Sequence, residues 1–247
     1  MRHTATALVV LGLAALLTTP AFASPFWCEG FNYNNGDLTT VSGGLWTTHS
    51  GSGADLKIVS GVLYGDMVTG SNDDNRLFPA PRGATDKTYS CFKVLIPAIS
   101  GSPTGSVYFA HFRLGTNFKS KVFVTSSGST FTFALAVGGN TITPPTGATW
   151  PVALNYDQWY TVATLYDAAT GTSKLWVDPF DETSACITAV DAVGIGVLID
   201  SYAFRQTSSN WRYHVDDLAV GPTFGDVCPI ATPTLSTSWG RLKALYH

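Results

Sequence analysis

Aromatic side chains near loops are the residues of this sequence best suited to holding a sugar ring. Three of the seven tryptophans, Trp46, Trp150 and Trp211, lie in or beside segments rich in Gly, Thr, Pro and Asn, and Tyr202 and Arg205 are close to Trp211 in sequence. An aromatic ring packs against the C–H face of a pyranose, and polar neighbours bind its hydroxyl groups. We therefore predict a ligand site that includes these side chains, with burial in a core as the alternative for each tryptophan.

His111 and Arg113 form a second candidate pair. They are two residues apart in a segment of strand-like alternation, so a strand would present both on one face. Histidine, arginine and tyrosine together could support β-elimination of a uronate polysaccharide, and Tyr108 and Tyr202 supply the last type. The alternative is that His111 and Arg113 are solvent-facing polar residues without a ligand.

Paired carboxylates, which hydrolysis of a glycosidic bond requires, are scarce in this chain. Its two glutamates are Glu29 and Glu182. Asp73-Asp74 and Asp216-Asp217 are close pairs, but adjacent residues of a strand point to opposite faces and cannot flank one bond. The sequence also lacks the Gly-x-Ser-x-Gly and His-Glu-x-x-His patterns of two other hydrolase classes. We expect a non-catalytic protein.

Composition indicates an exported globular protein. The 247 residues are 13% charged and 45% hydrophobic, with a formal net charge of −3, and no stripe of Lys and Arg suggests a nucleic-acid partner. Residues 1–23 combine a basic start, an apolar run and Ala21-Phe22-Ala23, which is typical of a secretory signal peptide. No later segment has the length of an apolar membrane span. We expect a secreted, extracellular or cell-surface location.

The four cysteines, Cys28, Cys91, Cys186 and Cys228, predict disulfides, because an even number follows a signal peptide and no Cys-x-x-Cys pair suggests zinc. Three connectivities are possible. Sandwich folds often bring the first and last strands side by side, which favours Cys28–Cys228 together with Cys91–Cys186.

Alternation of apolar and polar residues in short blocks predicts about ten strands. Turn-forming pairs such as Ser60-Gly61, Ser127-Gly128 and Thr170-Gly171 separate several of them, and no long amphipathic helix intervenes, so we predict an all-β, two-sheet antiparallel jelly-roll sandwich over residues 24–228. Residues 229–247 would be a Pro/Thr linker and a short C-terminal tail. The predicted strands are 56–59, 62–66, 88–94, 107–114, 121–125, 130–135, 160–166, 174–177, 193–200 and 213–220.

Three segments resemble secreted bacterial domains of the laminin-G-like, concanavalin A-like lectin/glucanase type. The stretch from Leu154 to Asp178, with Asp157-Gln158-Trp159-Tyr160 and Lys174-Leu175-Trp176-Val177-Asp178, is similar to the central hairpin of those domains. Residues 29–51 resemble their first segment, and Tyr213-His214-Val215-Asp216-Asp217-Leu218 resembles their final strand. The resemblance implies the same jelly roll and leaves the function open, because lectins, glycoside hydrolases and adhesive domains share that fold.

The resemblance also implies a metal site and narrows the functions. Many such domains hold one structural Ca²⁺ between the first segment and the last strand, and Glu29 with Asp216 or Asp217 occupies the similar positions; hydrogen bonding to loop amides is the alternative. The Glu-x-Asp-x-x-Glu strand of the hydrolases is missing here. We therefore expect a secreted, lectin-like domain that binds a glycan or polysaccharide without cleaving it. The alternatives are a structural or adhesive protein that contacts a surface protein and, less favoured, a polysaccharide hydrolase or lyase.

Overall fold

The computed structural model describes residues 24–99, 103–207 and 209–228. The predicted signal peptide (1–23) and the predicted linker and tail (229–247) lie outside the described residues. The strands and helices of the described part are β1 (Trp27–Glu29), β2 (Gly36–Asp37), α1 (Leu38–Val41), β3 (Thr47–Ser50), β4 (Lys57–Val59), β5 (Val62–Asp66), β6 (Asp73–Arg82), β7 (Lys87–Leu95), β8 (Ser106–Leu114), β9 (Asn117–Ser127), β10 (Thr130–Ala136), β11 (Gly147–Thr149), β12 (Trp159–Asp167), β13 (Thr172–Val177), β14 (Ile187–Val190), a short 3-10 helix (Ala192–Gly194), β15 (Ile199–Phe204), β16 (Arg212–Gly221) and α2 (Phe224–Val227).

These strands form two antiparallel sheets. One has nine described strands, in the order β14-β13-β12-β7-β16-β5-β4-β2 with β1 also paired to β16. The other has seven, in the order β11-β10-β9-β8-β15-β6-β3. Strands that are distant in sequence are neighbours in both sheets, as expected for a jelly roll. The protein is therefore the antiparallel two-sheet jelly-roll sandwich that the sequence predicts. Within the described ranges, no helix has the length and apolar character needed to span a bilayer.

Residue alternation builds the core between the sheets. In β10, Phe131, Phe133 and Leu135 are fully buried in the main core, while Ala134 and Ala136 point to the other side of the strand and pack in a separate outer cluster. Tight turns hold the strands in register. Ser60 and Gly61 both have positive φ, 54° and 76°, which is the backbone conformation of a two-residue hairpin turn.

The structure differs from the strand predictions in seven places: one predicted segment, 193–200, is shifted, and six strands were not predicted, namely β1, β2, β3, β6, β11 and β14. Residues 193–200 were predicted as one strand, but Val193 and Gly194 belong to the 3-10 helix, and β15 starts only at Ile199. The Asp191 carboxylate caps this helix by accepting a hydrogen bond from the Val193 amide. The strand β6 was not predicted, because it contains Pro79 and Pro81, which lack the backbone N–H that a ladder needs. Both prolines lie where the pairing with β15 is interrupted by a bulge, so no ladder hydrogen bond is lost there.

The disulfide pairing differs from the prediction. Cys91 of β7 is bonded to Cys228, with their Cα atoms 5.6 Å apart, while Cys28 and Cys186 have free thiols in the described part of the chain. The register explains why Cys91–Cys186 cannot form. Cys91 of β7 pairs with Ala163 of β12, which pairs with Trp176 of β13. Cys186 directly precedes β14, the strand on the far side of β13. Three strand spacings separate these cysteines by about 14 Å, well beyond the reach of a disulfide.

The predicted Cys28–Cys228 bond is also replaced. The prediction that β1 lies beside the last strand is confirmed, since Cys28 pairs with Ala219 of β16. Ala219 in turn pairs with Cys91, so Cys91 and Cys28 flank it on the same outer face of the nine-stranded sheet. The helix α2 returns over this face and brings Cys228 to Cys91 rather than to Cys28.

Candidate functional site

The outer face of the seven-stranded sheet carries a cluster of aromatic and basic side chains. Its rings pack around His111 of β8: Phe118 at 4.5 Å, Tyr108 at 5.5 Å and His49 at 6.0 Å between ring centroids. Basic side chains surround these rings. We call this group the cationic face, and it consists of His49, Tyr108, His111, Arg113, Phe118, Lys121 and Arg205.

One bulge in β8 and one in β9 assemble this face. Tyr108 and His111 are three residues apart, so regular alternation would place them on opposite sides of the strand. The pairing of β8 with β9 shifts register between Tyr108 and Ala110 and again between Ala110 and Phe112. These shifts turn both side chains outward while Phe109 and Phe112 remain in the main core.

His111 has unmet hydrogen-bonding capacity. It is fully buried, and neither its Nδ1 nor its Nε2 has a hydrogen-bond partner within the described residues. The same holds for both ring nitrogens of His49, which is half-buried, and for Nε of Arg113. Buried polar atoms are normally paired with protein, water or a ligand. This concentration of unpaired atoms marks the face as a candidate binding site.

Tyr108 anchors two of the cations. Nζ of Lys121 lies 4.6 Å from the centroid of the Tyr108 ring, and Cζ of Arg205 lies 4.2 Å from it. Lys121 is also 5.5 Å from the Phe118 ring and donates a hydrogen bond to Oδ1 of Asn140. Attraction between cations and ring faces holds these charges beside each other on the sheet.

Burial and like charge alter the protonation of this face. Burial lowers the pKa of His49 to about 4, with Arg113 adding to the effect, and lowers the pKa of His111 well below its usual value. Burial also lowers the pKa of Lys121 to about 8, assisted by the charges of Arg205 and Lys119. At neutral pH both histidines are therefore neutral, so each ring offers one donor and one acceptor, while Lys121 is mostly charged.

Three of the predicted ligand residues, His111, Arg113 and Arg205, lie together, as the sequence suggested for the first two. His111 is fully buried, so of these three only Arg113 and Arg205 reach the surface. Trp46, Trp211 and Tyr202 are also buried in the core, which is the alternative that the sequence left open for the tryptophans. Trp46 and Tyr202 pack against Phe204 between the sheets, where a large ring fills core volume. Trp150 is half-buried and packs against the core from the edge strand β11 side.

Other residues of the face were not singled out as ligands by the sequence. Tyr108 was noted for its chemistry, but His49, Phe118 and Lys121 were not chosen. One signal exists for Lys121: in the predicted strand 121–125 it alternates with Phe123, so a lysine and a phenylalanine share one face.

The carboxylates predicted to share Ca²⁺ have other partners. Glu29 is buried, and its carboxylate accepts hydrogen bonds from the amide of Phe31, the hydroxyl of Tyr33 and the indole N–H of Trp46, in addition to an ion pair with Arg76 at 2.8 Å. A cation site needs carboxylate oxygens that are free to bind the ion. Glu29 beside the Arg76 guanidinium does not fit that role.

Asp216 and Asp217, the other two predicted calcium ligands, do not complete such a site. Asp217 is exposed and forms an ion pair with Lys93 at 2.7 Å, and Asp216 accepts a hydrogen bond from the Asp217 amide. Across the described residues, no group of three or more His, Cys, Asp or Glu side chains is placed to hold a metal ion. The residues named by the sequence therefore do not fit a shared Ca²⁺.

A second candidate region is a cavity of about 790 Å³ over the outer face of the nine-stranded sheet. Its lining is mainly apolar and includes three cysteines, Cys28, Cys91 and Cys228. Phe180, which also lines it, is 72% exposed. The cavity lining includes four charged residues: Lys93 pairs with Asp217, Glu29 pairs with Arg76, and Asp226 accepts a hydrogen bond from the Thr223 hydroxyl. The cavity offers apolar contact but few free polar groups, whereas the cationic face offers both rings and unpaired polar atoms.

Comparisons with known proteins find structural similarity at low sequence identity. No family model matches the chain, and no curated protein matches its sequence. A sialidase structure is similar over 80% of this chain with a TM-score of 0.50 and 11% identity, and this chain spans 19% of the length of that protein. A CBM2 module of the evolved Dit of Lactobacillus casei BL23 phage J-1 is similar over 80% of this chain and 95% of its own, with a TM-score of 0.49 and 11% identity. The potassium-bound Emp46p carbohydrate recognition domain is 12% identical over 83% of this chain and 99% of its own, with a TM-score of 0.46.

Proposed function

We propose that this chain is an exported, laminin-G-like domain that binds a glycan on its cationic face without cleaving it. The observation that carries the proposal is the packing of Tyr108 and Phe118 around His111, whose ring nitrogens have no partner among the described residues. Rings supply contact area for a sugar face, and the partly exposed guanidinium groups of Arg113 and Arg205 supply hydrogen-bond donors for its hydroxyl groups. The Cys91–Cys228 bond supports export, because disulfides persist in oxidising compartments.

Binding without hydrolysis is proposed because the nearby carboxylates are already engaged. Asp73 accepts hydrogen bonds from the Gln206 amide and the Ser50 hydroxyl, and Asp200 accepts one from the Ser201 hydroxyl. Both glutamates are elsewhere: Glu29 is in the core, and Glu182 accepts a hydrogen bond from Tyr89 on the nine-stranded sheet. A glycosidase needs one carboxyl as acid and a second as base or nucleophile, both facing the substrate.

The test is a glycan-array screen of the domain, followed by calorimetric titration of the glycan that binds. Tyr108→Ala removes the ring that faces both cations, so we expect binding to weaken by about 1 to 3 kcal/mol, by analogy with base stacking on aromatic side chains. Tyr108→Phe keeps the ring and should bind nearly as the unchanged protein does. Trp159→Ala is the matched control, because Trp159 is 41% exposed and starts β12 in the other sheet.

Two results would contradict the proposal. If no glycan binds to the correctly folded domain, or if Tyr108→Ala binds as tightly as the unchanged protein, the cationic face is not a glycan site. If purified protein releases reducing ends or unsaturated uronates from the glycan, the domain is an enzyme. Melting temperatures of all variants establish that a loss of binding is not a loss of fold.

A further inference from the structure

The cations of the cationic face outnumber the carboxylates that pair with them. Arg205 has one carboxylate, Asp73, at 3.7 Å, which is long for an ion pair. Lys121 and Arg113 form no ion pair within the described part of the chain: Lys121 donates to the Asn140 amide oxygen, and Arg113 donates to the Gly115 carbonyl. Asp200 and Asp73 favour the charged form of Arg113 from a longer distance. The face thus holds two cations without a carboxylate in direct contact, although the whole chain has a formal charge of −3.

Holding these cations together has an energetic cost. Lys121 is buried in the described structure, and burial together with Arg205 and Lys119 lowers its pKa to about 8. Burial also lowers the pKa of Arg113 from its ordinary value. Charges in such surroundings gain more from an added anion than exposed lysines do, because water screens the attraction less. A bound anion would therefore offset the cost of this arrangement.

The face also offers more hydrogen-bond donors than acceptors. Lysine and arginine donate hydrogen bonds and accept none. Nε of Arg113 is buried and unpaired among the described residues, and a guanidinium binds a planar or tetrahedral oxyanion through two parallel N–H groups. The neutral histidines add at most one donor and one acceptor each. A ligand with several acceptor oxygens and a negative charge fits this face better than a neutral sugar does.

We propose that the cationic face binds a polysaccharide whose sugar rings carry an anionic group, a carboxylate or a sulfate ester, and that Lys121 and Arg113 contact this group. The inference rests on the proposed glycan function of the same face and names its ligand class. Tyr108 and Phe118 contact the ring carbons of the sugar, while Lys121 and Arg113 bind the oxygens of its charged substituent.

Matched pairs of polymers test this inference. The first pair is polygalacturonate and its carboxyl-reduced form, which has the same backbone with a neutral hydroxymethyl group. The second pair is dextran sulfate and dextran. We expect the charged member of at least one pair to bind the domain at least about tenfold more tightly than its neutral counterpart, and the pair that responds identifies carboxylate or sulfate as the preferred group. Raising NaCl from about 0.05 M to about 0.5 M should weaken this binding severalfold.

Substitutions locate the contact. Lys121→Gln and Arg113→Gln should each weaken binding of the charged polymer by about tenfold, and by more than they weaken binding of its neutral counterpart. Lys121→Arg keeps the charge and should retain most of the affinity. Lys87→Gln is the matched control, because Lys87 is an exposed lysine that pairs with Asp167 on the nine-stranded sheet.

Each alternative result overturns a specific claim. If charged and neutral members of both pairs bind equally and Tyr108→Ala weakens both, the glycan function stands and the anionic ligand class is wrong. If Lys87→Gln weakens binding as much as Lys121→Gln does, the attraction is non-specific and the assigned contact is wrong. If no polymer of either pair binds while the array identifies another, neutral glycan, the ligand class is again overturned. If no glycan binds at all, the proposed function itself fails.

Discussion

The buried Glu29 carboxylate holds the first segment of the chain in place through several hydrogen bonds. Oε2 of its carboxylate accepts from the Tyr33 hydroxyl, the Trp46 indole and the Arg76 guanidinium, and Arg76 also lies over the Trp27 ring at 4.5 Å. The carboxylate therefore links β1 of one sheet to β6 of the other. A buried charge that is fully paired stabilises little by itself, but removing one partner leaves the other charge uncompensated.

Glu29→Gln should lower the free energy of unfolding by about 3 kcal/mol, because it leaves the largely buried Arg76 without its anion. Chemical denaturation followed by tryptophan fluorescence measures this change. Asp37→Asn is the matched control: it breaks the exposed ion pair of Asp37 with Lys57, which should cost under about 1 kcal/mol. Equal, small losses in both variants would show that Glu29 has no special structural role.

At the scale of elements, the disulfide fixes α2 to the outer face of β7. The helix has four residues, too few to be stable alone, and its Phe224 packs against Tyr89 and Trp176 of the sheet. Thr223 caps its N-terminus by accepting a hydrogen bond from the Asp226 amide. The bond between Cys91 and Cys228 closes a chain segment of 137 residues, and so restricts the unfolded chain strongly.

Cys91→Ser with Cys228→Ser should lower the free energy of unfolding by on the order of 5 kcal/mol on the loop-entropy model. Cys186→Ser, which removes a thiol that is free in the structure, should change it far less. Alkylation without reductant, followed by peptide mass mapping, should label the exposed Cys28 in the native protein and Cys186 after unfolding. Recovery of a Cys28–Cys228 peptide would contradict the pairing described above.

At the scale of the whole molecule, buried ionisable groups of opposite kinds set the dependence of stability on pH. Burial raises the pKa of Asp73 and that of Asp74 to about 6, despite favourable contacts with Arg205 and Thr48 respectively. Burial lowers the pKa of His49 to about 4 and that of His111 further. On acidification, the folded state takes up protons at the aspartates before the unfolded chain does, whereas the unfolded chain takes up protons first at the histidines.

The aspartate contribution to stability is therefore fully present below about pH 4 and is lost as the pH rises through about 6. Asp74→Asn replaces a fully buried carboxyl with an amide that does not titrate, so the variant should lack the contribution of Asp74 to this pH dependence. From pH 7 to pH 4, the free energy of unfolding of the unchanged protein should rise by about 2 kcal/mol relative to that of this variant. Denaturation at both pH values measures the shift, and a constant difference would mean that Asp74 titrates normally.

The sequence by itself determined the fold class and most of the strands. Period-two alternation placed a strand at 62–66 with the bounds that the structure has, and placed those at 107–114, 130–135 and 213–220 within about one residue. It also paired the central hairpin correctly, since β12 and β13 are antiparallel neighbours. Strand bounds and hairpin pairing depend on residues that are near one another in the chain, so local sequence patterns predict them.

Only the tertiary structure decided which face each strand turns to the core and which side chains meet. Trp46 and Trp211 follow loop-like segments, yet both are buried in the core, and nothing in the neighbouring sequence predicts that burial. The bulge of β8 between Tyr108 and Ala110 reverses the phase of alternation, so Tyr108 and His111 share a face although they are three residues apart. The cationic face joins residues from β3, β8, β9 and the end of β15. Alternation fixes which residues of one strand share a face, whereas strand order and register, set by packing of the whole chain, fix what that face meets.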